Sequence, residues 1–336
     1  MRRPLRAFAR AWCLALAAAA PAAAQGERAY VARPDVRAFV REMVERHAFV
    51  AAELESLFSR VRRQEPVLRA IAPPSDPRER SWRLYRERFV NALRIAEGIE
   101  FWRRHEAALA RAAAEHGVPE EIIVAIIGVE TFYGRRAGTF RVIDALATLA
   151  FDYPPRAAYF RAELEQFLLF ARERDLDVFS VRGSYAGAIG IPQFMPGSYR
   201  RWAVDFDGDG AADLVASPAD AVGSVANFLR AHGWRRGEPV ALAAQVSGEA
   251  HRAMLAAGVE PRFAFADLAR YGVEARATLP LDTPVALVEL ASPGAPSEYR
   301  LGLANFYALT RYNRSSFYAA AVQDLARELR ARWREP

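Results

Sequence analysis

The segment EIIVAIIGVE, residues 121 to 130, ends a nearly unbroken apolar run on a carboxylate, Glu130, with Phe132 and Tyr133 close behind. An ionised carboxylate in apolar surroundings loses hydration, so it must find partners or take up a proton. A carboxyl group that stays protonated near neutral pH is what a general acid requires. The plainer alternative is an exposed Glu on an otherwise buried helix, and this segment alone leaves both open.

A second stretch, DFDGDGAADLVA, residues 205 to 216, follows the opening of a calcium loop. Asp205, Asp207 and Asp209 take positions one, three and five, and Gly210 the sharp turn. Alternate side chains of a curling loop converge on one hard cation. Ala211 offers its backbone carbonyl, and Asp213 a side chain or a bridging water. Ala216 stands where a bidentate Glu is expected, and Asp220, four residues on, can fill that place. Ser217-Pro218-Ala219-Asp220 also reads as a helix N-cap with an acidic third residue, and both roles can hold together. Three close aspartates repel one another without a cation, so a structural calcium is expected, bracing the fold and taking no part in the chemistry. His47, His105, His116, His232 and His251 are scattered without metal spacing. No G-x-S-x-G elbow, P-loop or dinucleotide glycine fingerprint occurs.

These residues must be held by a folded chain. The composition of the 336 residues, 52% hydrophobic and 26% charged, is that of a globular protein. The net charge of +6 is concentrated at the start, where Arg2, Arg3, Arg6 and Arg10 face no acid; without them 42 basic residues meet 40 acidic ones. So small a balance gives no argument for a nucleic-acid partner. There is no lysine at all.

MRRPLRAFAR, AWCLALAAAA and PAAAQ read as the n-region, h-region and A-x-A site of a signal peptide over residues 1–24, cleaved after Ala24. Cys13, the only cysteine, would leave with it. The apolar run is too short for a lasting membrane anchor. The expectation is therefore an exported, periplasmic, soluble protein that does not span the membrane and has no thiol chemistry.

From Asp35 to about Glu115 apolar residues recur at spacings of three and four, broken by PPSDP at residues 73 to 77. A helix restarts at GVPEE, and IDALATLAFDYPPRAAYFRAELEQFLLFARERD predicts two more, parted by Tyr153-Pro154-Pro155. SVRGSYAGAIGIPQFMPGSYR, residues 180 to 200, is rich in Gly and Pro yet apolar, as in a loop lining a cleft. SPADAVGSVANFLRAHGW predicts a helix. From about Glu238 to Leu301 short runs such as PVALAAQV and PVALVELA surround one helical piece and predict a small, mainly β module. SFYAAAVQDLARELRARWR closes the chain as a helix.

Taken together, VPEEIIVAIIGVETFYGRRAGTFRVIDALATLAFDYPPRAAYF, GSYAGAIGIPQFMPGSYRRWAVDFDGDG, DAVGSVANFLRAHGW and NFYALTRYNRS resemble the lytic murein transglycosylases of the membrane-bound B type. The resemblance covers nearly all of the chain beyond the signal. It implies a mainly α (α+β) fold with a lysozyme-like helical catalytic core, a flanking helical domain and a small β domain. The implied limits are 25–116 for the helical domain, 117–237 for the core with its calcium loop, and 238–301 for the β domain. Residues 302–336 would return to the core and helical domain.

The resemblance makes Glu130, in G-V-E-T-F-Y-G, the single catalytic acid. The implied reaction cleaves the β-1,4 bond between N-acetylmuramic acid and N-acetylglucosamine in peptidoglycan glycan strands, leaving 1,6-anhydromuramoyl ends, with no catalytic cofactor. Ser184 and Gln193 match cleft residues that hydrogen-bond the sugar and its N-acetyl group. Tyr185 lies in the same segment, Met195 matches an apolar contact, and Tyr307 a cleft tyrosine. Phe228 replaces a tyrosine of the pattern while keeping a stacking face, and Leu301 stands where an aromatic is often found. Asp205, Asp207, Asp209 and Asp220, with Ala211, match the calcium ligands. A monomer is expected. The alternatives are a muramidase that admits water to the same bond, and a non-catalytic peptidoglycan-binding envelope protein that has no need of Glu130.

Overall fold

The computed structural model describes residues 30–73, 81–275, 277 and 279–334. The signal peptide expected over residues 1–24, and all but the first residue of the PPSDP break, lie outside the described residues. The described residues divide into two compact units, one ending at Arg60 and the other beginning at Val61. The boundary falls inside the stretch expected as one helical domain.

The first unit holds a 3-10 turn, Tyr30–Ala32, and helices α1 (Pro34–His47) and α2 (Ala51–Arg60). Pro34 starts α1 at a position where its missing N–H costs nothing. Phe39 and Phe58 close the unit edge to face, 6.0 Å apart.

In the second unit the long amphipathic runs break into more helices than the periodicity alone predicts. They are α3 (Glu65–Ile71), α4 (Trp82–Phe89), α5 (Ala92–Arg104) and α6 (Glu106–His116). Asn91 caps α5 by accepting the Arg94 N–H, and Gly117 ends α6 in the left-handed region. Then come α7 (Glu120–Thr131), strand β1 (Phe140–Arg141), α8 (Val142–Asp152) and α9 (Ala157–Glu173). The parting of α8 and α9 at Tyr153-Pro154-Pro155 is as expected. Apart from their ends, α7 and α8 are buried on every side, as helices apolar all round must be. The one acid in the interior of α8, Asp144, receives the Arg62 N–H at 3.0 Å and the Arg141 guanidinium at 2.7 Å.

Strand β2 (Arg182–Gly183) pairs antiparallel with β1. Helix α10 (Pro196–Trp202) is a short element that the Gly- and Pro-rich stretch concealed, and α11 (Pro218–Ala231) follows with Ser217 as its cap.

The small β module is present. Strands β3 (Ala241–Val246), β4 (Phe263–Ala264), β5 (Val273–Ala275), β6 (Pro284–Ser292) and β7 (Ala295–Gly302) form one antiparallel sheet in the order β4-β6-β7-β3-β5. Helix α12 (Arg252–Ala256) lies between β3 and β4, and its Met254 joins Leu268, Val273, Val285, Leu287, Leu301 and Leu303 in the sheet's core. Leu301 is therefore an interior residue of the module, where an aliphatic side chain packs.

The chain returns through α13 (Ala304–Tyr312) and α14 (Ser316–Trp333). Helix α14 packs on α7, α5, α4 and α13 and reaches the sheet through Gln323, whose amide donates to the Ala241 carbonyl at 2.8 Å. One buried carboxylate, Asp324, gathers Arg86, Arg300 and Arg327 from α4, β7 and α14. No helix among the described residues is long and apolar enough to cross a membrane.

Candidate active site

Glu130 is the penultimate residue of α7, and the helix stops there because the next turn reverses sharply. Phe132 and Tyr133 both sit in the left-handed region, at φ 52° and 62°, where a bulky side chain is strained. Their N–H groups return to the Gly128 and Ile127 carbonyls. The turn is held from outside. The buried Arg94 guanidinium donates to the Gly128 carbonyl, and the Tyr133 hydroxyl donates to the Arg94 carbonyl at 2.8 Å. The Thr131 hydroxyl donates to the Ile191 carbonyl at 2.7 Å and accepts the Gly134 N–H at 2.9 Å. Thr131 thus ties the end of α7 to the loop that carries Gln193.

The Glu130 carboxyl is pushed up to about 7 by burial, held back in part by the Tyr318 hydroxyl. Some surface of the residue as a whole remains exposed. Tyr85, Tyr312 and Tyr318 are its titratable neighbours, and each phenol is pushed up by its own burial and then by the Glu130 charge. No salt bridge to Glu130 exists among the described residues. Sequence reasoning missed these three tyrosines. Tyr312 lies within the NFYALTRYN motif, and Tyr318 opens the apolar face of α14, so a polar atom in an apolar run was the available signal, as it was for Glu130.

The 184–195 loop supplies the next residues. Ser184 Oγ accepts the Ala186 and Ala188 N–H groups at 3.3 and 3.0 Å, leaving its own hydrogen to donate. Gln193 adopts φ 53°, and its amide nitrogen donates to the Ala137 and Gly190 carbonyls at 3.1 and 2.8 Å, which leaves its amide oxygen as an acceptor. Tyr185 is 39% exposed, and Met195, the N-cap of α10, is half-buried. The Tyr312 hydroxyl donates to the Pro192 carbonyl at 2.5 Å, so α13 also grips this loop. The loop is pressed close to its neighbours. At Gly190, with φ 79°, a Cβ would stand 2.4 Å from the Leu214 carbonyl oxygen; at Gly138, with φ 94°, it would stand 2.1 Å from the Gly183 oxygen.

Phe228 occupies a different setting from the one expected. It is 5% exposed, stacked on His232 at 3.9 Å and edge-on to Tyr312 at 4.9 Å, with Phe194 at 5.6 Å. With its ring covered by protein rings, it offers a sugar no open face and instead backs Tyr312. Tyr307 is half-buried and lines a cavity of about 690 Å³ together with His232, Glu238, Glu260 and Asp282. That cavity does not include Glu130. The raised carboxyl with its neighbouring phenols is therefore a candidate site apart from that cavity.

Asp205, Asp207 and Asp209 bring one carboxylate oxygen each within 4.8 Å of one another. Asp205 accepts the Gly208 and Gly210 N–H groups at 2.7 and 2.9 Å, which curls the loop around that point. The exposed Ala211 stands next in line, its N–H given to Asp209. Asp220 is apart from this group. It is 0% exposed, and it accepts the Phe206, Asp207 and Asp213 N–H groups, so it clamps the loop from beneath. The Ser217 hydroxyl accepts the Asp220 N–H, so the helix-cap reading of this segment holds.

The family model for the transglycosylase SLT domain matches residues 32–327. The membrane-bound lytic murein transglycosylase B of Escherichia coli K12 is 43% identical over 301 residues, 87% of this chain and 81% of that protein. The catenated lytic transglycosylase SltB1 from Pseudomonas aeruginosa superposes with a TM-score of 0.83 at 47% identity, over 90% of this chain and 99% of that one. The Escherichia coli lytic transglycosylase Slt35 in complex with calcium gives 0.78 at 40% identity, over 90% of this chain and 95% of that one.

Proposed function

The chain belongs to the transglycosylase SLT domain family and is a lytic murein transglycosylase with a lysozyme-like fold, and from that premise we propose how it works. It cleaves the β-1,4 bond between N-acetylmuramic acid and N-acetylglucosamine, with Glu130 as its one acid and base. The observation that carries this reading is a carboxyl at the end of the apolar helix α7, pushed up to about 7 by burial, with no other carboxylate among the described residues shifting it.

Most glycosidases need two carboxyl groups, one to protonate the leaving oxygen and one to attack or to activate water. A single group suffices when the substrate supplies the rest. Glu130 donates its proton to the glycosidic oxygen as the bond from the anomeric carbon breaks, and the muramic acetamido oxygen stabilises the oxocarbenium-like centre. The muramic C6 hydroxyl then attacks that carbon and returns a proton to Glu130, leaving a 1,6-anhydro end. Attack from within the same sugar gains from a high effective molarity. The Ser184 hydroxyl donates to the sugar, the Gln193 amide oxygen accepts from the N-acetyl N–H, and Tyr185, Met195 and Tyr307 line the strand's path. Phe228 acts through Tyr312. The test is mass spectrometry of products from purified sacculi. Anhydromuropeptides support the proposal, whereas reducing ends would make the protein a muramidase, and no product a binding protein.

Two further expectations belong to this reading. Asp205, Asp207 and Asp209, with the Ala211 carbonyl, have the donor chemistry and spacing for calcium. Asp220 holds the loop's shape and stands beneath as the fourth carboxylate. A cation that binds only the folded state stabilises it by mass action. Chelation will lower the thermal midpoint, excess calcium will restore it, and the pair Asp205→Ala with Asp209→Ala will remove the response. A midpoint indifferent to both chelator and calcium would remove the site.

The charged n-region, short h-region and A-x-A site place the protein in the periplasm with its mature chain starting at about Gln25. N-terminal sequencing of the cell-extracted protein checks this, and retained Met1 would contradict it. Taken with the helical core, residues 25–116, 117–237, 238–301 and 302–336 are the working division of the chain, and a monomer is the working state.

A further inference from the structure

Arg94 is 8% exposed, and its guanidinium meets no carboxylate among the described residues. It donates to the Gly128 carbonyl, while its Nε is enclosed without a partner. A buried charge without a counter-ion is costly, so something has to offset it. Aromatic faces do part of this. The Arg94 guanidinium carbon stands 5.2 Å from the centre of the Phe89 ring and 5.1 Å from that of Phe132.

The same two rings carry more positive charge. Arg88 stands 5.4 Å from Phe89, and Arg136 and Arg135 stand 5.4 and 5.5 Å from Phe132. Other arginines of these segments are answered by acids. Arg83 meets Glu87 at 3.6 Å, Arg86 meets Asp324 at 2.7 Å, and Arg135 pairs with Glu97. Arg88 and Arg136 are exposed and, like Arg94, have no carboxylate partner among the described residues. Like charges gathered on shared rings repel unless an anion joins them. Exposed arginines can swing apart into water, but Arg94 is fixed by the Gly128 carbonyl.

The position of this group matters for the substrate. Phe132 follows Glu130 by two residues, on the reversed turn that ends α7, and Arg94 holds that turn. An anion held by Arg88 and Arg136 therefore lies beside the acid. The muramic acid whose bond is cut carries a short peptide with free carboxylates on the lactyl group at C3. A guanidinium fork matches a carboxylate with two parallel N–H···O bonds.

We propose that Arg88 and Arg136, backed by the buried charge of Arg94, form a site for a carboxylate of the peptide carried by the muramic acid at Glu130. The proposal rests on Glu130 being the acid of the proposed reaction. Arg88 and Arg136 make the contact, and Arg94 adds a charge that burial leaves poorly screened. The half-buried Phe89 and Phe132 rings hold the guanidinium groups in place. The site selects peptide-bearing strands over bare glycan.

The probe is the disaccharide product, N-acetylglucosamine linked to anhydromuramic acid, prepared with and without its peptide. It has no bond left for the enzyme to cut, so its binding to the mature wild-type protein can be followed by calorimetry. The peptide-bearing sugar will bind about tenfold more tightly, the scale of one charge-assisted hydrogen bond. Amidating its carboxylates will remove that advantage, and added salt will shrink it, because two of the arginines are exposed. In the double variant Arg88→Gln with Arg136→Gln, the two sugars will bind within about twofold of each other. Circular dichroism and the thermal midpoint establish that this variant is folded.

Equal binding of the two sugars by wild type overturns the proposal, as does an advantage that survives amidation or persists in the folded double variant. Should that variant fail to fold, the amidated sugar on wild type decides. No turnover is measured, so a wild type that releases no anhydro product from sacculi would overturn the reaction and leave the site to be judged by binding alone.

Discussion

Glu130→Gln will give a folded protein that still binds glycan strands and releases almost no anhydromuropeptide. The amide is nearly isosteric, so the packing of α7 survives, but it carries no acidic proton for the leaving oxygen. General acid assistance is typically worth about a hundred- to ten-thousandfold. The loss here will lie at the upper end or beyond, because the proposed reaction gives no second carboxylate a part in it. In wild type, activity will fall as pH rises through about 7, where burial has placed the carboxyl and the acid form is lost. Stability carries its own sign. A carboxyl raised in the folded state favours folding at low pH, and that contribution is lost as pH rises through the folded value. Glu130→Gln will therefore be more heat-stable than wild type above pH 7, with the difference gone below the ordinary carboxylate range. The assays are product release from sacculi and thermal melts against pH. A folded mutant that retained a tenth of wild-type turnover would remove Glu130 from the mechanism.

The second large effect is structural. Asp324 is 1% exposed, and Arg300, itself buried, meets it at 2.9 Å, with Arg86 at 2.7 Å and Arg327 at 2.9 Å. Burial alone would raise this carboxyl, but the Arg300 bond, with Arg86 and Arg327, brings it below its usual value. Asp324→Ala strands Arg300 in the interior with only Glu298, Gln323 and a carbonyl to answer it. Breaking a buried ion pair from one side costs about 3–5 kcal/mol, which for a domain of this size lowers the midpoint by roughly 6–15 °C. Because the folded value is depressed, the cluster's contribution is complete above the ordinary carboxylate value and is lost as pH falls through the lowered one. Wild type will thus lose more stability than Asp324→Ala between pH 7 and pH 3. Calorimetry checks both, and a midpoint within about 2 °C of wild type at pH 7 would contradict this account of α14.

The sequence made the acid and the aspartate loop legible because each violates its surroundings in a short window: one carboxylate after eight residues of apolar helix, three aspartates at alternate positions. The proline pair after Tyr153 and the shift to short apolar runs after Glu238 likewise announced themselves locally. What stayed hidden depends on long-range approach. Nothing near Tyr318 in the chain reveals that its phenol feels the charge of Glu130, 188 positions earlier. Phe228 carried the expectation of a stacking face for the glycan because its contacts with His232, one turn away, and with Tyr312, brought in by α13, cannot be read from VANFL. Asp220 looked like a ligand by spacing, and only the folded loop reveals three backbone N–H groups already directed at it.

The Leu214 carbonyl receives the Ile191 N–H at 2.7 Å, and the Ile191 carbonyl receives the Thr131 hydroxyl. Three residues on three separate segments are thereby fixed to a common register, one at the base of the aspartate loop, one beside Gln193 and one beside Glu130. Evolution cannot treat these segments as interchangeable parts. The exposed tip from Gly208 to Ala211 can change its side chains while the register survives. An insertion between Ala212 and Ala216 would carry Leu214 with it and reset the spacing between acid and amide. An aspartate loop borrowed from elsewhere would have to arrive with that one carbonyl already in place.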